Sequence, residues 1–130
     1  MAVSYTHLDV YKRQLESIAQ QDADVLEVMR TESGYAADTL LADGGPTKNR
    51  LLMQMQADLA DCTVRVAVAS ELSALGAAYI AGLKTGVFTT FDQIRAQERT
   101  GDGYFPAMPA SRRAEQRAQW KTAIERARTK

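Results

Sequence analysis

Asp43-Gly44-Gly45-Pro46-Thr47-Lys48-Asn49 stands between a short apolar run, Thr39-Leu40-Leu41, and an amphipathic stretch from Leu51 to Cys62. The order reads as strand, tight glycine turn, helix. Leu51, Met55, Leu59 and Cys62 supply one inward helical stripe, and Pro46 sits in the first turn, where a missing N–H costs least. Thr63-Val64-Arg65-Val66-Ala67-Val68 follows with valines at period two, the mark of a second strand. The three pieces predict a βαβ unit, whose crossover is right-handed in about 98% of such units, and hence an α/β protein. In parallel α/β sheets, ligands gather where strand carboxyl ends meet helix amino ends, because free N–H groups and the positive end of the helix dipole face that crevice. Such a site suits a nucleotide.

Upstream, Leu15, Ile18, Ala19, Val25, Leu26 and Met29 recur at helical spacing until Gly34, and Asp22 falls on the same face, which puts it either near the edge of the stripe or facing a polar cleft. Residues 1–14 have neither an apolar face nor turn chemistry, and they resemble the translated remnant of a sequencing adapter. They are read as a non-native head, expected to be disordered, with the meaningful sequence spanning 15–130. Downstream, Ser70 is the expected cap of a helix carrying Leu72, Leu75, Gly76, Tyr79, Ile80 and Leu83, ended by Gly86. Ala74, Ala77, Ala78, Ala81 and Gly82 on that helix predict close packing, with most of its surface buried. A short helix starts at Phe91, Gly101-Asp102-Gly103 reads as a turn, and Tyr104-Phe105-Pro106 is extended because of the proline. The last helix is expected from about Ser111 to Ala127, with its Lys and Arg residues on a solvated face and Trp120 as the anchor that docks it.

The chain has 130 residues, and its 16 basic and 16 acidic residues cancel. Without an overall field, nucleic acid is a poor partner. One cysteine, Cys62, excludes an intrachain disulfide and any Cys/His metal spacing, which makes a reducing cytoplasm the expected location. No apolar run approaches the roughly 20 residues of a membrane span.

Gly44 and Gly45 permit positive φ and remove side chains that would hold a ligand off the backbone. Asn49, expected one helical turn inside the amino end, has an amide able to donate and accept toward the same crevice. The GxxxxGK[ST] spacing of a P-loop is absent. The single histidine, His7, lies in the discounted head, which excludes a histidine-activated nucleophile from the rest. Asp22, Asp24, Asp43, Asp58 and Asp61 are available as bases or magnesium contacts, but spacing places no pair of them for acid–base work. Met53, Met55 and Cys62 are read as core.

Leu15-Glu16-Ser17-Ile18-Ala19, Val25-Leu26-Glu27-Val28-Met29, Asp43 to Asn49 with Leu52-Met53-Gln54, Ala74 to Gly82, and Trp120-Lys121 occur in that order. The series closely resembles the carboxyl-terminal end of the FGGY carbohydrate kinases, a group that includes glycerol kinase and xylulokinase. The resemblance runs from Leu15 to Lys130. It implies part of an actin-like (ribonuclease H-like) kinase domain and an ATP-dependent phosphoryl transfer, with Mg2+, to a hydroxyl of a sugar or polyol. It carries nucleotide contacts over to Gly45 and Asn49, with Gly44 shaping the turn. The family's catalytic aspartate lies upstream of the matched part, so no catalytic residue and no metal ligand is assigned, and the 130 residues alone are expected to be inactive. Pro46-Thr47-Lys48 departs from the small-residue turn of typical glycerol kinases and leans toward another sugar kinase without selecting a substrate. The expected partners are ATP or ADP and the sugar or polyol, with homo-oligomers left open. The alternative is a non-catalytic adaptor that keeps a kinase-like half domain.

Overall fold

The computed structural model describes residues 5–69, 71–97 and 100–129. Helix α1 (Tyr5–Ser33) leads into strand β1 (Thr39–Ala42), a single 3-10 turn (Gly45–Lys48), α2 (Arg50–Ala60) and β2 (Thr63–Ala67). Then come α3 (Leu72–Thr85), α4 (Phe91–Arg95), β3 (Thr100–Tyr104) and α5 (Ala110–Arg128). The expected βαβ unit is present: β1 and β2 pair in parallel, Thr39 opposite Thr63 and Ala42 opposite Val66, with α2 between them in the chain.

The core lies where α1 meets α2. Leu15, Ala19, Ala23 and Leu26 are buried on α1, at intervals of four and three that keep them on one face. They join Leu52, Met53, Ala57, Leu59 and Ala60 of α2, together with Cys62 and Val64, in one apolar cluster. Ala19 and Ala57 are wholly buried, and side chains that end at Cβ let two helices approach closely. Ile18, Val25 and Met29, expected in the stripe, are exposed, and Ala23 takes the inner position instead. Successive strand residues point to opposite faces. Leu40, Ala42, Val64 and Val66 belong to or pack against the cluster, while Leu41 is exposed.

Arg30 fixes how these pieces meet. Its guanidinium donates to the Ala60 carbonyl and to the Ala37 carbonyl, both at 2.8 Å, which ties the end of α1 to the end of α2 and to the segment entering β1. Gly34 closes α1 in the left-handed region at φ 66, its N–H donating to the Arg30 carbonyl at 3.0 Å. Asp61 closes α2 the same way at φ 51, a conformation that aspartate tolerates better than most residues.

Four further expectations about these elements change. Tyr5–Gln14 are helical and continuous with α1, so the disorder expected for the head does not extend over them; residues 1–4 lie outside the described residues, as does Ser70, the expected cap. Gly101-Asp102-Gly103 is a strand rather than a turn: β3 pairs antiparallel with β2, Val64 opposite Tyr104 and Arg65 opposite Gly103, and an irregularity between Arg65 and Ala67 absorbs the register shift. Glycine-rich sequence carries no strand signal of its own, and the pairing partner supplies it. Helix α3 is largely exposed, including Ala74, Ala77, Ala78 and Ala81. Its small-residue face lies open among the described residues. Gly82 is the buried exception, because a Cβ there would meet the Phe88 ring at 2.7 Å.

The basic stripe of α5 is the fourth. Arg112, Arg126 and Arg128 are exposed as expected, but Arg113 and Arg117 turn inward. Arg117 donates to the Gln20 carbonyl and side chain at 3.0 and 2.9 Å, and pairs with Asp24 and Glu27 of α1. Arg113 pairs with Asp61 at 2.9 Å and donates to the Asp58 carbonyl at 3.1 Å. Trp120 anchors the helix as expected, its indole N–H donating to Asp24 at 2.7 Å.

Candidate functional site

Strand β1 ends at Ala42, and two residues later the backbone makes its one glycine-dependent move in this stretch. Gly44 has φ 88 and ψ −177, a region open essentially to glycine alone. Its carbonyl then accepts twice from Thr47, from the N–H at 3.2 Å and from the hydroxyl at 2.7 Å. Thr47 therefore staples the turn shut, a role that the sequence pattern did not single out. Pro46 stands at the start of the 3-10 turn, and its carbonyl accepts from the Asn49 N–H at 3.0 Å.

Asn49 is the N-cap of α2 rather than a residue one turn inside it. Its backbone is extended, its Oδ1 accepts from the Leu52 N–H at 3.1 Å, and its carbonyl accepts from the Met53 N–H at 3.1 Å. The capping oxygen is thus committed to the helix. Its Nδ2 donates outward to the Tyr11 hydroxyl at 3.0 Å, which leaves the amide donor as the half of the side chain that faces away from α2.

Gly45 differs from its neighbour. Its φ is not positive, and a Cβ built on it meets no atom within 4 Å. Neither backbone conformation nor packing requires glycine there. Positive φ, expected across the glycine pair, belongs to Gly44 alone. Gly44, Gly45 and Asn49 thus share one ledge between the end of β1 and the start of α2, where the strand-to-helix reading put them.

The acidic residues are mostly occupied. Asp22 accepts from the Gln56 side-chain amide, and Asp24 from Trp120 and Arg117. One Asp58 oxygen accepts from Gln54 at 3.1 Å and from the N–H groups of Ala107 and Met108 at 2.7 and 3.0 Å. Asp61 pairs with Arg113, and Asp43 is exposed at the strand end. Burial pushes the Asp24 carboxyl up, but hydrogen bonds from Trp120 and Arg117 and the charges of Arg117 and Lys121 outweigh it, leaving the pKa below its usual value. The Arg117 hydrogen bond, with Lys121 helping, also lowers Glu27 against a smaller burial effect. Burial raises the Cys62 thiol, which fits a core residue rather than a nucleophile. Among the described residues no group of three or more His, Cys, Asp or Glu could hold a metal ion.

A cleft of about 240 Å³ opens between α1 and α5 beside Trp120, and one of about 280 Å³ between α1 and β1 beside Leu41. Neither is lined by Gly44, Gly45 or Asn49. No described helix is long and apolar enough to cross a membrane.

Residues 1–85 match the family model described as the FGGY family of carbohydrate kinases, C-terminal domain. The chain belongs to that family. A glycerol kinase of Haemophilus influenzae is 42% identical over 117 residues, covering 90% of this chain and 23% of that protein. The crystal structure of Plasmodium falciparum glycerol kinase with ADP superposes with a TM-score of 0.83 at 25% identity, over 97% of this chain and 26% of that one. The xylulose kinase of Rhodospirillum rubrum superposes with a TM-score of 0.76 at 24% identity, over 99% and 26%. These likenesses establish the actin-like α/β fold, here as a small mixed sheet with helices. The FGGY chain spans about a quarter of the length of the relatives it matches. The matched span of the family begins at residue 1 and so takes in residues 1–14.

Proposed function

We propose that this chain is the nucleotide-binding, carboxyl-terminal part of an ATP-dependent carbohydrate kinase, which transfers a phosphoryl group to a hydroxyl of a sugar or polyol. Gly45 carries the reading. A glycine that neither φ nor packing demands, placed where a strand end meets a helix start, keeps the backbone open to a ligand. Gly44 sets the turn that presents it, and Asn49 offers its amide N–H to the nucleotide while its oxygen holds the helix start. The relative solved with ADP makes an adenine nucleotide the ligand to test.

Phosphoryl transfer requires nucleotide and acceptor in line, a metal on the phosphates and a group to orient the hydroxyl. The commitment of Asp22, Asp24, Asp58 and Asp61 to structural partners supports leaving the base to the remainder of a longer kinase. Mg2+, which would offset charge on the phosphates, fits a place on the nucleotide rather than on these side chains. The same reading takes residues 15–130 as part of the kinase's second domain and residues 1–14 as a non-native head. It places the protein in the cytoplasm, assigns no kinase activity to the 130 residues alone, and leaves the sugar or polyol unspecified.

The test is titration of the isotope-labelled chain with millimolar ADP, read by amide chemical shifts. Shifts centred on Gly45 and Asn49 are expected. Gly45→Val removes them by filling the open space, and Asn49→Asp removes them while keeping a strong N-cap. Absence of any shift at Gly45 or its neighbours in a folded sample refutes the proposal.

A further inference from the structure

Helix α5 is attached differently from α1 and α2. Whereas α1 and α2 share a continuous apolar cluster, α5 contributes no buried residue. Its hydrogen bonds and ion pairs to the rest of the described residues nearly all include a charge. Arg117 reaches Asp24, Glu27 and Gln20, Arg113 reaches Asp61 and the Asp58 carbonyl, Lys121 reaches Glu27 at 3.3 Å, and Trp120 reaches Asp24. The segment leading into α5 is held likewise: the Asp58 carboxylate accepts from the Ala107 and Met108 N–H groups, and Gln54 donates to the Phe105 carbonyl at 2.8 Å.

Solvent reaches the acidic side of these pairs. The Arg117 and Arg113 side chains are 13% and 17% exposed, but those of Asp24, Glu27 and Asp61 are 35%, 54% and 57% exposed. Dissolved ions therefore have access to the carboxylates, and exposed pairs weaken with salt. Beneath the seam, Ala23 and Leu59 line a cleft of about 220 Å³ with Arg113 and Arg117.

We propose that α5 and its 105–109 lead form a charge-latched strap, which lifts from α1 and α2 as one piece when its ion pairs are screened, while the βαβ core stays folded. Lifting bares the α1–α2 seam at Ala23 and Leu59. It leaves the Gly44–Asn49 turn in place, because the strap holds α2 only from Gln54 onward.

Trp120 is the only tryptophan and sits in the latch, so acrylamide, a neutral quencher, reports on it without sensing charge. The full chain is examined between about 0.01 M and about 1 M NaCl, over which the Debye length shrinks from roughly 30 Å to about 3 Å. Trp120 quenching is expected to rise at least about twofold, the contrast between a half-buried and a freely accessible indole, with amide-exchange protection of Met53 and Val64 unchanged. Glu27→Gln and Asp24→Asn should raise quenching at low salt and flatten its salt dependence. Quenching that stays constant up to the highest salt, or that rises only together with loss of Met53 and Val64 protection, overturns the proposal. So does wild-type quenching in both variants.

Discussion

Gly44 and Gly45 are adjacent and chemically identical, yet alanine at the two positions should act in opposite directions. At Gly44, φ 88 and ψ −177 impose a backbone strain of about 1–3 kcal/mol on any residue with a Cβ. Contacts add nothing to this, since the nearest atom to that Cβ is Pro46 Cδ at 3.9 Å. At Gly45 no strain arises and no atom lies within 4 Å. There the main effect is on the unfolded chain, whose lost freedom favours the native state by about 0.4–1 kcal/mol. Because that unfolded-state effect applies to both substitutions, the difference between them isolates the native strain of about 1–3 kcal/mol. Urea unfolding followed by circular dichroism measures it. With a slope of about 1.5 kcal/mol per molar, the midpoints should separate by roughly 0.7–2 M, Gly44→Ala lower and Gly45→Ala at or above wild type. Equal midpoints, or a lower midpoint for Gly45→Ala, would refute the division of labour between the two glycines. A change in slope would instead report an altered unfolded or native ensemble.

Gly82→Ala places a methyl 2.7 Å from the Phe88 ring, which stacks edge to face on Tyr79; a loss of about 1–3 kcal/mol is expected, with altered Phe88 ring resonances as the local check. Arg30→Met removes a charged donor from the Ala60 and Ala37 carbonyls and should cost on the order of 2–4 kcal/mol, with amide exchange accelerated first in β1. Acid should loosen the α1–α5 seam. Asp24 and Glu27 are held below their usual pKa values of 3.8 and 4.5, so they bind fewer protons folded than unfolded. Their contribution is complete above the usual values and declines as the pH falls through the lowered ones. A Trp120 quenching profile that is flat over that range contradicts the sign.

The βαβ unit was legible because three local signals agree: the valine alternation of β2, the amphipathic run of α2, and a turn whose first glycine has no substitute. The stripe drawn through Leu51 and Met55 was off by a residue or two, since Leu51 is exposed and Met55 half-buried while Leu52, Met53, Gln56 and Ala57 are buried. Helix α3 shows the limit of such local signals. Periodicity at Leu72, Leu75 and Tyr79 reports which face of a helix is apolar, but the covering partner has to come from elsewhere, and among the described residues the small-residue face is open. Strand β3 was hidden for the opposite reason. Gly101 and Gly103 have weak intrinsic preference, and pairing with Arg65 and its neighbours supplies the order. Arg113 and Arg117 were read as solvated because sequence shows charge without showing partners 52 to 97 residues away in the chain, as Asp61 and Gln20 are. At the candidate site, Gly44 and Gly45 were recognisable as a pair, but their different duties were not, since φ is not written in the residue type. Asn49 was placed one turn too deep because the intervening 3-10 turn looks like the first turn of the helix.

Cys62 closes the apolar cluster at the junction of α2 and β2, and it is the only cysteine in the chain. Burial both hides the sulfur and disfavours its thiolate, so an alkylating reagent has to wait for the helix pair to part. The rate of its modification is therefore a clock for opening of the α1–α2–β2 unit. When reclosing outruns the chemistry, that rate divided by the rate for an unstructured thiol gives the equilibrium fraction opened, measured under conditions in which the chain remains overwhelmingly native.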